Sequence, residues 1–359
     1  MNKAYYLFSG AWSNAKNPAV GVKSFAYDVE AQKLSYIGTF GEYLSMSCIQ
    51  LDGDLLFACV ESKQDDLLVS FRIRPDGTLQ ELGTVHSGGA SIAHLDIDTK
   101  HRRLFTANFK GLSVSMVEYD EAGTMTVNDC YKFTDPGSYV TGYGPTERQD
   151  AAYPHAVKIM PDGDHLCVCN MGNDKIYIFE IDWENGKLIL CPNLTVTIDG
   201  GEGARHLVFS PDGKFAYMNT EMGSTVYAFS VGEDASLTRL QKLSTLDPEK
   251  ENPPKGWASV IIVSSDGKYA YVGNRGQSNI VGYKIGEDGL LTEIGHFDCY
   301  GDTPRGLNFG YRDEVIFCSC NVSGTISVID IDKETGKLGG CRQLIGELTG
   351  SANVVFTAL

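Results

Sequence analysis

The chain has 359 residues, 40 of them glycine, and carries a formal net charge of −16 at pH 7. Such an acidic chain repels phosphate backbones and anionic lipids, which excludes nucleic acid and membrane surfaces as expected partners. No apolar stretch approaches the about 20 residues that a membrane helix requires, and the apolar run at the start is too brief for a secretory signal. Ten cysteines are scattered without a Cys-x-x-Cys pair, which indicates no metal site, no cofactor and a cytoplasmic location with reduced thiols.

A phrase of two strands joined by a tight turn recurs along the chain. The first unit contributes strand-like runs at residues 4–9 and 22–27, and later units repeat an apolar run, an Asp-Gly turn and an aromatic-rich run. Each unit continues through a third strand to a second turn and a fourth strand. A leucine or methionine near that second turn marks each unit, at Leu34, Leu79, Met125, Leu188, Leu237, Leu291 and Leu338.

The spacing of these marks predicts the fold. Successive marks are 45, 46, 63, 49, 54 and 47 residues apart. Near-even units of four strands predict an all-β fold, a seven-bladed β-propeller of four-stranded antiparallel blades. The first unit lacks the strand before its turn, whereas residues 353–357 form a strand without a unit of its own. Pairing the N- and C-terminal segments closes the ring without an open edge, so residues 1–359 are expected to form a single propeller domain.

Three consecutive units carry a clear turn aspartate, at Asp162, Asp212 and Asp266. Each of these turns links the first strand of a unit, which lines the central channel of a propeller, to the antiparallel second strand. A residue seven positions before the aspartate and one nine positions after it therefore lie at the same end of the hairpin. The residues at these two offsets are His155, Arg205, Ser259, Met171, Glu221 and Arg275.

The four polar residues among them, His155, Arg205, Glu221 and Arg275, are predicted to converge at one mouth of the channel. A single charged residue at a loop end is usually solvated, but four in equivalent registers of neighbouring units favour a functional site. An alternative is that Glu221 pairs with Arg205 or Arg275 to neutralise the rim. That pairing is compatible with a site, since a site often orients its own charged groups in this way.

Other candidates have weaker support. Arg305 begins the first strand of a later unit, in a register one residue earlier than that of Arg205. The sequence therefore leaves open whether Arg305 reaches the mouth. His206 directly follows Arg205 and should point to the opposite side of the strand, where packing and binding are equally expected. His94 shares the register of His206 and is predicted to be structural. The glycines of residues 200–203 precede no helix, so a phosphate-binding loop is not indicated.

Two long connections enter the predicted mouth. Residues 134–152 come directly before His155, and residues 246–257 come directly before Ser259. Both join a fourth strand to the next first strand, and long irregular loops above a channel are typical of walls or lids. Plain solvent loops remain the alternative, and whether residues 134–152 act as a lid is left open.

Several motifs in these units resemble one known family, the seven-bladed propeller lactonases. The family includes the bacterial propeller-type 6-phosphogluconolactonases and the fungal carboxymuconate cyclases, and the resemblance runs from the first unit to the last. The motifs that carry it are Pro154-His155, Ala204-Arg205-His206, Asn219-Thr220-Glu221, Trp257-Ala258 and Asn274-Arg275-Gly276.

The resemblance implies a metal-independent active site at His155, Arg205, Glu221 and Arg275. Tyr153 stands where the family often has histidine, and Asn170-Met171-Gly172 stands where it often has Asp-Leu-Gly. These departures leave the four central residues in place and bear on substrate preference.

The implied reaction is hydrolysis of a sugar lactone, above all 6-phospho-D-glucono-1,5-lactone to 6-phosphogluconate in the pentose phosphate pathway. Lactone opening requires a base that activates water and donors that hold the developing oxyanion. The base is His155 or Glu221, and the residues alone do not choose between them. Arg205 and Arg275 suit bidentate capture of an anion and stabilisation of the oxyanion. Further substrate-binding candidates are Arg305, His206 and Tyr153.

Two other functions are compatible with the same sequence. One is a carboxymuconate-type cycloisomerase or a lactonase that acts on another small anionic substrate. The other is a propeller that binds a protein partner without catalysis, because a fold alone does not determine chemistry. In each enzymatic case the expected partner is a small anion, here a phosphorylated sugar lactone, and the expected state is a monomer or a weak homo-oligomer.

Overall fold

The computed structural model describes residues 3–13, 18–61, 66–140, 146–251 and 257–359. These residues form seven antiparallel sheets with four strands along each main path, which confirms the predicted seven-bladed propeller. Outside the strands, the described part contains short 3₁₀ turns at Thr146–Arg148, Pro192–Leu194 and Tyr311–Asp313. Within these ranges, no helix is both long and apolar enough to span a bilayer.

The blades follow one another in chain order. Within each of blades 2 to 7, the first strand in the chain lies at the channel and the later strands lie progressively farther out. The strands that begin in blades 1 to 3 are β1 Tyr5–Ala11, β2 Val20–Asp28, β3 Lys33–Leu44, β4 Met46–Asp52, β5 Leu55–Val60, β6 Leu67–Ile73, β7 Leu79–His86, β8 Ile92–Asp98, β9 Arg103–Asn108, β10 Ser113–Tyr119 and β11 Met125–Lys132. Blade 1 contains β1 to β3, blade 2 contains β4 to β7, and blade 3 contains β8 to β11.

Blades 4 to 7 repeat the same plan, with one added two-residue strand in blade 4. Their strands are β12 Pro154–Ile159, β13 His165–Asn170, β14 Lys175–Asp182, β15 Lys187–Leu190, β16 Val196–Thr197, β17 Ala204–Phe209, β18 Phe215–Thr220, β19 Thr225–Val231, β20 Leu237–Ser244, β21 Ala258–Val263, β22 Tyr269–Asn274, β23 Asn279–Ile285, β24 Leu291–Asp298, β25 Pro304–Phe309, β26 Val315–Cys320, β27 Thr325–Ile331 and β28 Leu338–Ile345. Strand β16 pairs with β14 beside β15, and each following group of four forms one blade.

The ring closes through the last strand, β29 Ser351–Ala358. It pairs antiparallel with β1, with Leu7 opposite Phe356, and becomes the innermost strand of blade 1. The predicted closure by N- and C-terminal segments is therefore confirmed. Because both edges of the seam are paired, no open strand edge faces solvent there.

The core lies between neighbouring blades. Between blades 3 and 4, for example, Phe105, Val168 and Phe179 pack in one buried cluster. The seven marks found in the sequence are the first or second residues of the outer strands β3, β7, β11, β15, β20, β24 and β28, and all seven are buried. Strand β5 is buried along its whole length because other blades cover both of its faces.

The two ends of each inner hairpin differ. At one end, Gly213 follows Asp212 with φ of +74°, and Asp212 Oδ1 accepts hydrogen bonds from Ser210 and the Lys214 amide. At the other end, the innermost strand has a β-bulge at or next to its second residue. A bulge adds an unpaired residue and redirects its side chain. Bulged residues of this kind include His155, Arg205 and Arg305.

Candidate active site

A chamber of about 500 Å³ opens at the bulged end of the hairpins. One position supplies much of its wall, namely the residue directly after the second strand of a blade. In the described chain this position contributes to the chamber in six blades, through Trp12, Glu61, Phe109, Glu221, Arg275 and Asn321. In blade 4 the same position is Met171, which is buried in an apolar cluster instead.

The bulged position of the innermost strands supplies a second part of the wall. It places Ala93, His155, Arg205 and Arg305 against the chamber. The structure thus brings together the four residues that the turn offsets singled out. The same offset would also have found Glu61, which lies nine residues after Asp52 of the blade 2 turn.

Glu221 is the centre of the charged network. Its side chain is about 1% exposed, and Oε2 accepts from Arg205 Nε at 2.8 Å and pairs with Arg275 Nη2 at 2.9 Å. Oε1 pairs with Arg148 Nη2 at 2.8 Å. Both alternatives for neutralising Glu221 therefore occur at once. Burial opposes the charged form, but the cations Arg148, Arg275 and Arg205 outweigh it, and the pKa of Glu221 lies well below its usual value.

Arg148 was not predicted as a site residue. It ends the 3₁₀ turn Thr146–Arg148 in the long connection between β11 and β12. Its guanidinium lies between two aromatic rings, 5.6 Å from the centroid of Phe109 and 5.5 Å from that of Trp257. Such cation–π contacts hold the arginine in place at the mouth. The available signal was a basic residue in a long insertion just before His155.

Arg205 and Arg275 are held by main-chain carbonyls as well as by Glu221. Arg205 Nη1 donates to the carbonyl of Ser259, and Arg275 Nε donates to that of Trp257 at 3.0 Å. Burial and the charge of Arg275 lower the pKa of Arg205 to about 9, so it remains a cation at neutral pH. The two guanidinium groups are therefore fixed before any ligand arrives.

His155 lies beside this network and is 6% exposed. Its Nε2 is 3.9 Å from Glu221 Oε2, and its ring meets Phe109 edge-on with centroids 6.0 Å apart. Burial, followed by the charge of Arg205, lowers the pKa of His155 well below its ordinary value. The imidazole is neutral at pH 7, and Nδ1 has no hydrogen-bond partner among the described residues.

Arg305 occupies the same position in β25 as Arg205 does in β17, so the expected one-residue offset is wrong. Both turns that follow contain five residues, but Asp313 stands one position later in its turn than Asp212 does. Counting from the aspartate therefore displaced Arg305. Its guanidinium lies 4.3 Å from the ring centroid of Trp12, and Nη2 is 3.5 Å from Glu61 Oε2.

His206 also differs from expectation. The bulge at Arg205 interrupts the strand alternation, so both residues face the channel rather than opposite sides. His206 lines a deeper chamber of about 280 Å³, with its ring 5.3 Å from His155 and 4.9 Å from His94. His94 lines the same chamber, and burial lowers its pKa to about 4, while its structural role stays a prediction.

Tyr153 lies behind the chamber wall, which argues against the predicted contact with substrate. Its ring stacks on Phe109 with centroids 4.7 Å apart, and Phe109 takes the lining position. The Tyr153 hydroxyl donates to Asp150 at 2.6 Å, and Met171 and Met222 pack in the same buried cluster. Tyr153 therefore supports the wall rather than lining the chamber.

The chamber carries a surplus of positive charge within an acidic protein. Among the described lining residues, two carboxylates face five cationic side chains, which are Lys110, Arg148, Arg205, Arg275 and Arg305. In a chain of net charge −16, this surplus favours a small anionic ligand. No group of three or more His, Cys, Asp or Glu side chains suited to a metal ion occurs among the described residues.

Both long connections reach the chamber, as predicted. Arg148 of the connection at residues 134–152 and Trp257 of the connection at residues 246–257 both line the chamber, so each connection forms part of the wall. Positions 141–145 and 252–256 of these connections lie outside the described residues. A lid function for residues 134–152 stays a prediction.

Three comparisons place the chain among known proteins. The sequence model of a family described as "Lactonase, 7-bladed beta-propeller" matches residues 9–352. The protein YwcC of Lactococcus lactis subsp. lactis is 31% identical over 90% of this chain and 92% of its own length. The 6-phosphogluconolactonase of Formosa agariphila is 26% identical over 92% of this chain and 94% of its own length. A crystal structure of a protein from Bacteroides fragilis superposes with a TM-score of 0.87 at 25% identity, covering 99% of this chain and 98% of that one.

Proposed function

We infer that this chain, which belongs to the family of seven-bladed β-propeller lactonases, hydrolyses 6-phospho-D-glucono-1,5-lactone to 6-phosphogluconate. The observation that carries the proposal is a carboxylate clamped by three arginines beside a neutral, buried histidine in a cationic chamber. The relative from Formosa agariphila bears the name of this activity. The reaction is the lactone-opening step of the pentose phosphate pathway.

His155 is the better candidate for the base. A carboxylate held by three arginines has little affinity for a proton, and the pKa of Glu221 is lowered accordingly. The pKa of His155 is lowered as well, but its imidazole is neutral at pH 7 and Nδ1 has no hydrogen-bond partner among the described residues, so a ring nitrogen has a lone pair that can accept a proton. Glu221 then acts by fixing the arginines, while His155 takes part in proton transfer.

The proposed reaction proceeds in two steps at the lactone carbonyl. The oxygen of water bonds to C1 while His155 accepts the water proton, and the carbonyl oxygen becomes an oxyanion. Arg205 and Arg275 stabilise this charge because their guanidinium groups are already oriented. The bond between C1 and the ring oxygen then breaks, and that oxygen takes the proton from His155. The resulting acid releases a proton to solvent as the carboxylate forms.

Arg305 is the proposed anchor for the substrate's phosphate. The ion pair described for its side chain, with Glu61, is 3.5 Å long, whereas that of Arg205 with Glu221 is 2.8 Å long. The N–H donors of Arg305 are therefore held less tightly by the protein. The cation–π contact with the face of Trp12 holds the guanidinium, and its N–H donors can then bind a phosphate. Lys110 lines the same chamber and adds to its positive potential.

The test is a hydrolysis assay with freshly prepared 6-phosphogluconolactone, corrected for spontaneous opening. The wild type is measured beside the double variant His155→Ala/Glu221→Ala, with unphosphorylated gluconolactone and a muconolactone as competing substrates. We expect enzyme-dependent hydrolysis with a higher kcat/KM for the phosphorylated lactone, and loss of it in the double variant. Equal rates for wild type and double variant would overturn the proposal. A higher kcat/KM for the muconolactone would instead indicate a substrate of the carboxymuconate cyclase type.

A further inference from the structure

The carboxylate of Asp174 joins two segments that build the active site. Asp174 lies in the turn between β13 and β14 and is 1% exposed. It accepts hydrogen bonds from four groups, two on the long connection of residues 134–152 and two on residues 200–203. The mechanism above assigns no role to this buried charge.

The first pair of bonds holds the connection that carries Arg148. The Ser138 hydroxyl and Gln149 Nε2, the latter at 2.9 Å, both donate to Asp174 Oδ2. Gln149 directly follows Arg148 and also donates to the carbonyl of Met171 at 3.0 Å. Fixing Gln149 therefore fixes the point from which the Arg148 side chain reaches Glu221.

The second pair of bonds holds the turn that leads into β17. The Gly201 amide donates to Asp174 Oδ2 at 2.8 Å, and the Gly203 amide donates to Oδ1 at 2.6 Å. The carbonyl of Gly203 in turn accepts from the Glu221 amide at 2.8 Å. One carboxylate therefore joins the backbone beneath Arg148 to the backbone beneath Glu221.

The position suits aspartate for two reasons. Its φ of +56° is in the left-handed region, which aspartate and asparagine tolerate better than most residues. Four converging donors require a group that only accepts, and an ionised carboxylate meets that requirement. Asparagine at this position would tolerate the same backbone conformation. Its NH₂ group, however, would replace one carboxylate oxygen and meet at least one of the four donors as a second donor.

We propose that Asp174 is a positioning residue that holds Arg148 on Glu221 by clamping Ser138 and Gln149 to the turn at residues 200–203. The proposal rests on the proposed function for its kinetic consequences. Its structural part stands on the four hydrogen bonds alone.

The experiment compares Asp174→Asn, Arg148→Gln and the double variant Asp174→Asn/Arg148→Gln. We expect each single variant to lower kcat/KM for 6-phosphogluconolactone about 10- to 100-fold, since small displacements of oriented groups have effects of this size. Because Asp174 acts through Arg148, the double variant should be no worse than Arg148→Gln alone. Additive losses would overturn the proposed route.

The pH profile separates positioning from general loss of structure. His155 faces Glu221, Arg148, Arg205, Arg305 and the ring of His206. Burial and then the charge of Arg205 lower its pKa most, and the positive charge of Arg148 lowers it further. Releasing Arg148 should therefore move the acidic limb of kcat/KM to higher pH in both single variants. Enzyme that is partly unfolded but otherwise unchanged would keep the wild-type limb at reduced amplitude, which would contradict the proposal.

A matched control is Asp129→Asn. Asp129 Oδ2 accepts from the Leu188 amide at 2.9 Å and so also joins two blades, but on their outer strands. We expect Asp129→Asn to leave both kcat/KM and the acidic limb unchanged. An equal shift of the limb in Asp129→Asn would show that any loss of a contact between blades has the same effect.

Hydrogen exchange tests the clamp without any substrate. The Ser138 amide donates to the Gly172 carbonyl, and the Tyr139 amide donates to the Gln149 carbonyl. Protection of these amides should fall in Asp174→Asn and remain in Arg148→Gln and Asp129→Asn. If wild type hydrolyses no lactone, the proposed function fails while this measurement still decides the clamp. Unchanged protection in Asp174→Asn would refute the clamp even in an active lactonase.

Discussion

The two ends of the inner hairpins follow one backbone plan but differ in what the fold demands of their residues. At the turn end, Asp162, Asp212 and Asp266 recur because the turn needs a side-chain acceptor before a glycine of positive φ. At the mouth end, the bulged position holds residues as different as Ala93 and Arg305. The bulge fixes where the side chain points and leaves its identity free.

This difference explains where the site lies. A residue that closes a turn cannot change without loss of stability, whereas a bulged residue or one just past a strand can vary with little effect on the ladder. Seven blades present these permissive positions to one channel, so a cluster of charges can accumulate there. The site is thus composed of positions that the repeat does not specify.

The largest effect is expected from changing the proposed base at the mouth end, His155→Gln. Loss of a general base lowers kcat by about 10²- to 10⁴-fold, and the amide cannot accept the water proton. Steady-state kinetics on 6-phosphogluconolactone would measure it, with Asp212→Asn as the control at the turn end. A fall of less than threefold in His155→Gln would remove His155 as the base.

The same residue predicts the pH dependence of the wild type. Since burial and Arg205 lower the pKa of His155, the base stays unprotonated to below the ordinary value of about 6.5. We expect kcat/KM to remain constant from neutral pH to below that value and to decline only at more acidic pH. A decline centred at or above the ordinary value would show that another group is the base.

The parts of the fold and of the site that the sequence predicts are those marked by residues that recur from unit to unit. The blades and the ring closure follow from marks that each unit repeats, and fixed offsets from the turn brought in His155, Arg205, Glu221 and Arg275. Those offsets assume that side chains alternate strictly along each strand and that the aspartate has the same position in every turn. Neither assumption holds at His206, where a bulge intervenes, or at Arg305, where the turn aspartate is displaced.

Arg148 shows a second limit. Its contact with Glu221 spans different blades and depends on the path of a long irregular connection, which no repeat constrains. Its position is set by Phe109, Trp257 and the Asp174 bonds, all distant in sequence. Such contacts need coordinates, because a loop carries no periodicity from which a direction can be inferred.

The next effect in size is expected for Glu221→Gln. The neutral amide leaves three guanidinium groups without a shared carboxylate, so their mutual repulsion displaces them from the substrate. We expect kcat/KM to fall about 100-fold, comparable with the loss of an oriented oxyanion donor. If activity stays within threefold of wild type, Glu221 does not organise the arginines. The same Asp212→Asn control applies.

A smaller effect is expected for Arg275→Ala. Arg205 remains to hold the oxyanion and Arg305 to bind the phosphate, so we expect kcat/KM for 6-phosphogluconolactone to fall about tenfold, in line with loss of one charged hydrogen-bond partner. The free energy of unfolding should change less than binding does, because the polar contacts of Arg275, with Glu221 and the Trp257 carbonyl, lie within the site. An unchanged kcat/KM would exclude Arg275 from substrate binding, and a collapse of stability would assign it to the fold.

The smallest kinetic effect is expected at the turn end, for Gly213→Ala. The residue has φ of +74°, and an added Cβ would lie 2.7 Å from Pro161 Cβ, so both strain and crowding oppose the change. We expect unfolding free energy to fall by about 1–2 kcal/mol, the cost of a left-handed residue with a side chain, while kcat/KM stays at the wild-type value. Equilibrium denaturation and steady-state kinetics on the same preparation measure the two quantities. A kinetic loss as large as that of Arg275→Ala would mean that the strands transmit strain from turn to mouth and that the two ends are not independent.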